Sequence, residues 1–383
     1  MYSLPKTSLR NRLCQGSRII DCVSAVNQKR FAHDIVIRQK IGKPIIKYGP
    51  GGRSSVSGHI ATVFGCTGFL GRYVVSKLAK HGTQVVVPYR DADEARHLKV
   101  TGDLGQVIPL EFDIRNEKNI EEAVRHSDIV YNLIGRDYET NNFPFEKVHV
   151  EGAARIARIS RENGVSRFVH VSALNADKNS KSKFYRSKAL GEEAVKAEYP
   201  DATIVRPSTM YGHEDRFLNR LAGTTYEYVL NKGMTRIRPV YALDVAKALE
   251  YMSKYENTIG ETYELFGSNE YTYNEIYDVI NKVVVNYRTK ILVPKSIALL
   301  VAKLIHLPFI SSYSTEDVER AYISDQITPG TKTFEDLEIL PSSLDDIAIS
   351  VVRFYRRSSI YDEPMLQDKN VGKVKKGIYY TDY

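Results

Sequence analysis

Three glycines, at positions 65, 68 and 71, most constrain what this chain can fold into. They follow an apolar run at residues 59–64 and precede a helix-like stretch at residues 72–80. Gly65 permits a tight turn, Gly68 lets the backbone approach a pyrophosphate, and Gly71 lets the helix pack close to the strand. The helix start then presents unpaired N–H groups and the positive end of its dipole. The spacing therefore predicts a cradle for dinucleotide phosphates, the alternative being a glycine-rich turn without a ligand.

Short apolar runs alternate with helix-length segments between residues 59 and 212. This alternation is typical of a parallel sheet covered by helices on both faces. The predicted fold class is α/β, a doubly wound parallel Rossmann sheet with a smaller, mixed C-terminal region. The predicted strands are residues 59–64, 84–89, 107–112, 128–134, 167–171 and 202–205, and a short strand at 262–266 is assigned to the C-terminal region.

The first 30 residues carry most of the net charge of the chain. They contain six basic residues and one acid, so five of the eight net positive charges lie there and three remain for the rest. An Arg-rich segment that almost lacks acids is typical of a mitochondrial transit peptide, and a disordered basic tail is the alternative. We expect cleavage near residues 31–33. The mildly basic body disfavours a nucleic-acid partner.

The three cysteines are Cys14, Cys22 and Cys66. The first two would leave with the transit peptide, so the mature body would have neither a disulfide nor a cysteine-based metal site. No metal is predicted, and a reducing, matrix-like compartment fits. Cys66 lies in the glycine turn, where a helix N-terminus could lower the pKa of its thiol. The alternative is that a small residue is simply tolerated in a tight turn.

The residue after the second strand predicts which nucleotide binds. An acid there would accept the ribose 2′-hydroxyl of NAD, whereas a guanidinium pairs with a 2′-phosphate. Arg90 occupies this position, so we expect NADPH, with the neighbouring Asp91 as the alternative determinant. The cofactor contacts predicted from position in this fold are Gly65, Thr67, Gly68, Phe69, Leu70, Gly71, Arg90, Leu133 and Gly135, with Asp113 and Ile114 after the third strand as the pair that would hold the adenine.

The glycine turn and the stretches 206–212 and 239–246 resemble extended or atypical short-chain dehydrogenase/reductases. In active members of that family, a Ser after the fifth strand and a Tyr-x-x-x-Lys helix carry out the chemistry. The resemblance assigns Ser172 to the Ser position and Lys188 to the Lys position, but Phe184 stands where the Tyr is expected. It also implies that Lys188 holds the ribose of the cofactor and that Pro207 is a further cofactor contact.

A phenyl ring at position 184 has no proton to give, so it cannot act as a general acid or base. Tyr185 is one residue further, and a slip of one residue rotates a side chain by about 100° around a helix. We expect a site that holds a nucleotide without turning it over, with Ser172, Tyr185 and Lys188 as vestigial catalytic candidates. If the helix register shifts, or the loop at 177–183 re-aims its start, Tyr185 substitutes and the protein is an active mitochondrial NADPH-dependent reductase.

Two further stretches, 51–58 and 214–219, are similar to the NADPH-binding accessory subunits of mitochondrial NADH:ubiquinone oxidoreductase, respiratory complex I. The similarity extends from about Phe31 into the C-terminal third. It implies a matrix-side subunit near the inner membrane, with other complex I subunits as partners and NADPH held outside the electron-transfer chain. An NADP(H)-sensing regulatory protein is a third interpretation.

Residues 291–309 form the most apolar segment of the chain, but Pro294 and Lys303 make it a poor membrane-spanning helix. Such a helix would lie on the inner-membrane surface or dock on a partner, and a buried core helix is the alternative. The predicted organisation is a transit peptide (1–30), an extended lead-in (31–58), a Rossmann NADP(H)-binding domain (59–212) and an interleaved C-terminal region (213–383).

Overall fold

The computed structural model describes residues 35–37, 44–46, 52, 55–305 and 314–356. The predicted transit peptide, its cleavage site near residues 31–33 and most of the lead-in lie outside the described residues. The last four residues of the apolar segment 291–309 lie outside them as well.

The strands are short, and they include every run that the sequence predicted as a strand. In the described part of the chain the strands are β1 (Ile35–Ile37), β2 (Pro44–Ile46), β3 (Ile60–Phe64), β4 (Gln84–Tyr89), β5 (Val107–Glu111), β6 (Ile129–Asn132), β7 (Arg167–Val171), β8 (Thr203–Pro207), β9 (Met210–Tyr211), β10 (Glu227–Val229), β11 (Arg236–Ile237), β12 (Val240–Tyr241), β13 (Thr262–Leu265), β14 (Tyr271–Thr272) and β15 (Lys290–Leu292).

Helices alternate with these strands in the first half and dominate the second half. Among the described residues the α-helices are α1 (Phe69–Lys80), α2 (Ala92–Ala95), α3 (Glu117–Val124), α4 (Gly152–Glu162), α5 (Lys183–Glu198), α6 (Leu218–Gly223), α7 (Ala242–Lys254), α8 (Tyr273–Val284), α9 (Lys295–Ile305), α10 (Thr315–Arg320) and α11 (Leu344–Val352).

Seven parallel strands form the central sheet, in the order β13-β8-β7-β6-β3-β4-β5. All six strands predicted for the Rossmann sheet are present, which confirms the fold class. The strand order reverses at β3, which pairs with β4 on one side and β6 on the other. In such a sheet the crevice at the carboxyl ends of the strands, at this switch point, is where ligands bind.

The seventh strand comes from beyond Gly212. β13 pairs in parallel with β8, so this short strand of the C-terminal region completes the sheet. The predicted domain boundary at residue 212 remains a prediction, although the chain after it returns to the sheet.

Helices cover both faces of the sheet, as the short, continuously apolar strands require. On one face α1 and α7 pack through buried side chains such as Val75 and Leu249 against strand residues such as Val63. On the other face α3, α4 and α5 pack through residues such as Ile156 and Val195. The crevice at the switch point therefore lies at the end of a sheet that is packed on both faces.

The remaining helices form two smaller cores. α6, α8 and α11 share one apolar cluster, to which Leu218, Ile280 and Val351 contribute fully buried side chains. α9 and α10 meet in a separate cluster of Ala298, Ala302 and Val318. Among the described residues, no helix combines the length and the apolar character that crossing a bilayer needs.

Candidate functional site

The glycine turn joins β3 to α1 in a conformation that requires glycine. Gly65 has a φ of +80°, a region that side-chain-bearing residues rarely adopt. A Cβ on Gly71 would lie 2.3 Å from the carbonyl oxygen of Gly65, so no other residue fits at this contact between strand and helix. The turn closes through the Gly68 amide, which donates to the Gly65 carbonyl at 3.1 Å.

The start of α1 is open to an anionic group. Gly68 is the N-cap, so no side chain caps the helix, and the first turn contains no acidic residue. The first N–H groups of a helix lack intrahelical partners and point outward with the positive end of the dipole. The start of α8 differs, because Thr272 and Glu275 form a complete capping box there. This uncapped start fits a pyrophosphate.

Cys66 is a packing residue of the turn. It is fully buried, and its thiol donates to the carbonyl oxygen of Pro88 at 3.2 Å. Burial raises the pKa of the thiol to about 12. The expectation that the helix N-terminus lowers this pKa is therefore wrong, because loss of water outweighs the dipole. A small residue tolerated in a tight turn is the correct interpretation.

Arg90 and Asp91 follow β4 with different surroundings. The Asp91 carboxylate accepts from the backbone N–H of Asp93 at 2.9 Å and caps the short helix α2. Arg90 is exposed, and no carboxylate pairs with it in the part of the chain that the structure describes. The guanidinium is therefore available to an anion, whereas the neighbouring carboxylate is already engaged by the backbone.

The predicted adenine contacts follow β5. Asp113 is exposed, and its carboxylate accepts from the backbone N–H of Arg115 at 2.9 Å. The carbonyl of Ile114 accepts from the Arg155 guanidinium at 2.8 Å, which fixes this loop against α4. Asp113 and Arg90 thus end adjacent strands of the same sheet edge.

Leu133 and Gly135 lie beside the glycine turn. The Leu133 amide donates to the Phe64 carbonyl at 3.0 Å, and a Cβ on Gly65 would lie 3.0 Å from the Leu133 carbonyl carbon. A Cβ on Gly135 would lie 3.2 Å from Nζ of Lys188. The structure therefore brings the loop after β6 together with both the turn and α5.

Four other predicted contacts lie around this group. Phe69 begins α1 and packs edge-on against Tyr73, with ring centroids 5.7 Å apart. The carbonyl of Thr67 accepts from the Arg72 side chain at 3.3 Å. Leu70 is buried in the sheet core, and Pro207 ends β8 with its carbonyl accepting from the Leu174 amide at 2.9 Å.

Ser172 directly follows β7, and the buried Lys188 of α5 reaches the same end of this strand. The Lys188 ammonium donates to the carbonyl of Val171 at 3.2 Å. Burial lowers the pKa of Lys188 to about 8, while the charges of Asp137 and Glu192 act in the opposite direction. The Ser172 hydroxyl is buried and has no hydrogen-bond partner in the described structure. A buried hydroxyl without a partner is an acceptor or donor that a ligand could satisfy.

Phe184 lies on the Lys188 side of α5, because residues four apart share a helix face. The Lys188 Nζ is 6.0 Å from the centroid of the Phe184 ring. Burial raises the pKa of Tyr185, and the charged or polar side chains that act on its phenol include Arg320 and Asn175. Since the Ser172 hydroxyl has no partner, the phenol does not hydrogen-bond to it. Phe184 therefore lies within reach of the Lys188 ammonium, and the vestigial role of Tyr185 stays a prediction.

Two buried histidines also line the site, and the sequence analysis did not identify them. His149 lies in a π-helix, Glu146–Glu151, that leads into α4, a distortion common near functional sites. Its Nε2 accepts from the Arg136 amide at 3.1 Å and its Nδ1 lies 2.8 Å from the Ser187 hydroxyl. Burial lowers the pKa of His149, and the Lys188 charge adds to this effect.

His170 lies two residues before Ser172 on β7, so both side chains belong to the same face of the sheet. Its Nδ1 is 3.2 Å from the Asn132 amide nitrogen, and its Nε2 is buried without a partner. Side chains alternate between the two faces of a strand, so the position of Ser172 could have identified His170, two residues earlier, from the sequence. The arrangement forms a buried polar row between the sheet and α5.

Because His170 is buried, the free energy of unfolding depends on pH, and the shift in the pKa of its imidazole fixes the sign of that dependence. Burial, reinforced by the Lys188 charge, lowers the pKa of its imidazole from 6.5 to about 3. Between these values the unfolded chain binds a proton that the folded chain does not, so stability falls as the pH drops, by up to about 1.4 kcal/mol per pH unit. We expect His170→Gln to flatten the plot of unfolding free energy against pH between 6.5 and 4, measured by urea titration. Exposed His97→Gln is the matched control, and a slope for His170→Gln equal to that of wild type contradicts the assignment.

The model of the NAD dependent epimerase/dehydratase family matches residues 61–265, more than half of the chain. The chain belongs to this family. The matched range runs from β3 to β13 and so includes the whole parallel sheet and the glycine turn. Family membership implies a pyridine nucleotide, NAD or NADP, as cofactor, and the glycine-only turn with its uncapped helix fits the phosphates of either one.

Curated relatives within the family cover most of the chain. The "NADH-ubiquinone oxidoreductase 40 kDa subunit, mitochondrial" of Neurospora crassa is 46% identical over 89% of this chain and 91% of its own length. The "NADH dehydrogenase [ubiquinone] 1 alpha subcomplex subunit 9, mitochondrial" of Rattus norvegicus is 43% identical over 82% and 84%. Its counterpart in Arabidopsis thaliana is 38% identical over 82% of each. The similarity to complex I accessory subunits that the sequence indicated is confirmed.

Solved structures of much lower identity share the family fold. A Citrobacter sp. triphenylmethane reductase matches with a TM-score of 0.62 at 16% identity, over 77% of this chain and 99% of that one. A UDP-glucuronic acid 4-epimerase from Bacillus cereus, in complex with UDP-glucuronic acid and NAD, matches with a TM-score of 0.57 at 16% identity, over 77% and 98%. These matches establish the fold of the epimerase/dehydratase family and nothing about the reaction.

Proposed function

We propose that this chain is a non-catalytic, NADPH-binding accessory subunit of mitochondrial NADH:ubiquinone oxidoreductase, which supports assembly and stability of the peripheral arm on the matrix side of the inner membrane. The mitochondrial location and the partner subunits are inferred from the similar proteins of Neurospora crassa, Rattus norvegicus and Arabidopsis thaliana. The observation that carries the proposal is the pairing of a glycine-only phosphate turn with a phenyl ring, Phe184, on the Lys188 side of α5.

The residues that would hold the nucleotide are distributed along the carboxyl edge of the sheet. The first N–H groups of α1 would bind the pyrophosphate, the Arg90 guanidinium the 2′-phosphate, and Asp113 the adenine. Lys188 would hold the nicotinamide ribose, as in the reductases that the chain resembles. Bound NADPH can supply a hydride, but reduction of a carbonyl also needs a proton donor, and Phe184 has none. A nucleotide retained in this way stabilises the folded state, by about 4 kcal/mol at a thousandfold excess over Kd.

An apolar surface around α9 supports a position at the membrane. Exposed apolar side chains occur on α9, on the two-stranded sheet of β10 and β15, and directly before β10; they are Tyr226, Tyr228, Ile291, Leu292, Ile297, Leu300, Val301 and Leu304. α9 contains no acidic residue, and Lys303 is exposed. Apolar residues flanked by cations suit a surface of anionic phospholipids. We propose that this surface, called here the α9 face, rests on the inner membrane.

The test is purification of the native assembly followed by mass spectrometry of bound nucleotides and co-purifying proteins. We expect NADPH at about one molecule per chain and other subunits of the oxidoreductase. A photo-crosslinker in place of Leu300 should label phospholipid, and labelling of a protein subunit instead overturns the membrane contact. Protein that carries no nucleotide contradicts the binding role.

The main alternative is an active NADPH-dependent reductase. NADPH oxidation is measured with a panel of ketones and quinones, and we expect no turnover above the background without protein. Turnover that Tyr185→Phe abolishes would establish the alternative, since the phenol would then be the proton donor. The remaining alternative, an NADP(H)-sensing regulator, requires the chain to occur outside mitochondria, which cell fractionation detects.

A further inference from the structure

The helix α10, from the C-terminal region, contacts the start of α5. The carboxylate of Glu316 accepts from the Ser182 hydroxyl at 2.8 Å and from the Phe184 backbone N–H at 3.4 Å. Ser182 is the N-cap of α5, but its own side chain makes no capping bond. A residue 134 positions away in the sequence therefore satisfies the helix start that carries Phe184 and Lys188.

One turn further along α10, Arg320 covers the Phe184 ring. Its guanidinium carbon lies 4.6 Å from the ring centroid, and its side chain is only 20% exposed. Arg320 pairs with Asp317 at 2.5 Å and with Asp137 at 3.4 Å. A partly buried, stacked and doubly paired guanidinium is held in one position.

Asp137 joins α10 to the nucleotide site. It lies two residues after Gly135, on the loop that leaves β6 beside the glycine turn. Its carboxylate also pairs with Arg216 at 3.7 Å, so two cations from the C-terminal region converge on this loop. Any shift of the loop that accompanies nucleotide binding thus changes the contacts of α10.

α10 is in turn packed against the helix that carries the α9 face. Val318 is fully buried against Ala298 and Ala302 of α9. Glu319 pairs with Lys295 at the start of α9 at 2.8 Å. The described contacts therefore run without a break from the loop after β6, through α10, to α9.

We propose that Glu316 and Arg320 are positioning residues which transmit nucleotide binding to α10 and α9. The proposal rests on the nucleotide-binding role argued above. Nucleotide that orders the loop at Asp137 stabilises the Arg320 contacts, and the docked helices stabilise the loop in return. We call the contacts of Glu316 and Arg320 with the start of α5 and with Asp137 the clamp. Coupling between two sites is reciprocal. A variant that breaks the clamp therefore weakens nucleotide binding by the same factor as it weakens nucleotide-dependent ordering of the helices.

The experiment is hydrogen–deuterium exchange on the protein in its native assembly, with and without saturating NADPH. In wild type we expect NADPH to slow exchange about fivefold or more in peptides covering 295–305 and 315–325, in addition to the sheet.

In Arg320→Met this protection of the helices should disappear, and the Kd for NADPH should rise about fivefold. Arg320→Lys, which keeps one cation near Asp137, should recover part of both effects. Glu316→Gln should weaken them with less disturbance of packing.

Arg158→Met is the matched control, because Arg158 of α4 is 43% exposed and its ion pair with Glu117 involves no residue of α5, α9 or α10. It should leave both measurements unchanged. Protection confined to residues 60–212 in wild type overturns the clamp, as does full protection of the helices in Arg320→Met. Failure of the wild-type chain to bind NADPH at all is a separate result, which defeats the binding role itself.

Discussion

Gly71→Ala is expected to abolish retention of NADPH and to lower the free energy of unfolding by about 3 kcal/mol. A Cβ at this position would lie 2.3 Å from the Gly65 carbonyl oxygen and 2.7 Å from the Cα of Cys66. Both neighbours are backbone atoms between β3 and α1, so the strand and the helix must separate. Separation moves the N–H groups of the helix start away from the phosphates, and for this reason binding and stability should fail together.

Urea denaturation measures the loss of stability, and chromatography of the extracted nucleotide measures retention. Gly223→Ala is the matched control, because the nearest atom to its new Cβ is a side-chain carbon of Tyr355 at 3.5 Å. That control should unfold within about 0.5 kcal/mol of wild type, as surface changes usually do. If Gly71→Ala retains NADPH at the wild-type level, the turn is not the phosphate site.

Arg90→Glu is expected to raise the Kd for NADPH about 100-fold while changing the Kd for NADH by a few fold. The substitution removes a charge-assisted contact, worth about 1.5–3 kcal/mol, and adds repulsion from the 2′-phosphate, which NADH lacks. The selectivity of the effect matters more than its size, because a general disturbance of the fold would weaken both nucleotides equally. Isothermal titration of both nucleotides measures it.

The matched control is Arg96→Glu, which makes the same charge change at a guanidinium that is 80% exposed and paired with Asp93. It tests whether any negative charge added near the site is enough to weaken NADPH binding. Unchanged NADPH affinity in Arg90→Glu would show that another group recognises the 2′-phosphate.

The sheet was predictable because each of its strands is a local apolar run between helix-length segments. The pairing of β13 with β8 was not, since it joins residues 58 positions apart that carry no local signal of partnership. In the same way, the offset of Phe184 from Tyr185 was evident from spacing along one helix. The contact of Arg320 with Asp137 spans 183 positions and depends on how the C-terminal region folds back.

The histidines illustrate a second limit. A histidine in an apolar strand, such as His170, is compatible with either a core position or a functional one, and only its unpartnered Nε2 and its fully enclosed ring distinguish the two. The π-helix that carries His149 is a distortion without a local sequence signature. Positions of this kind follow from packing between elements, which local patterns do not encode.

Cys66 has a practical consequence for experiments on this protein. It is the only cysteine after residue 30, and its thiol is enclosed at the junction of β3, α1 and β4. An alkylating reagent can therefore react with a cysteine beyond residue 30 only when this junction opens. The rate of alkylation reports, without any introduced label, how often the phosphate turn comes apart, and slower labelling in the presence of a dinucleotide would measure its occupancy directly.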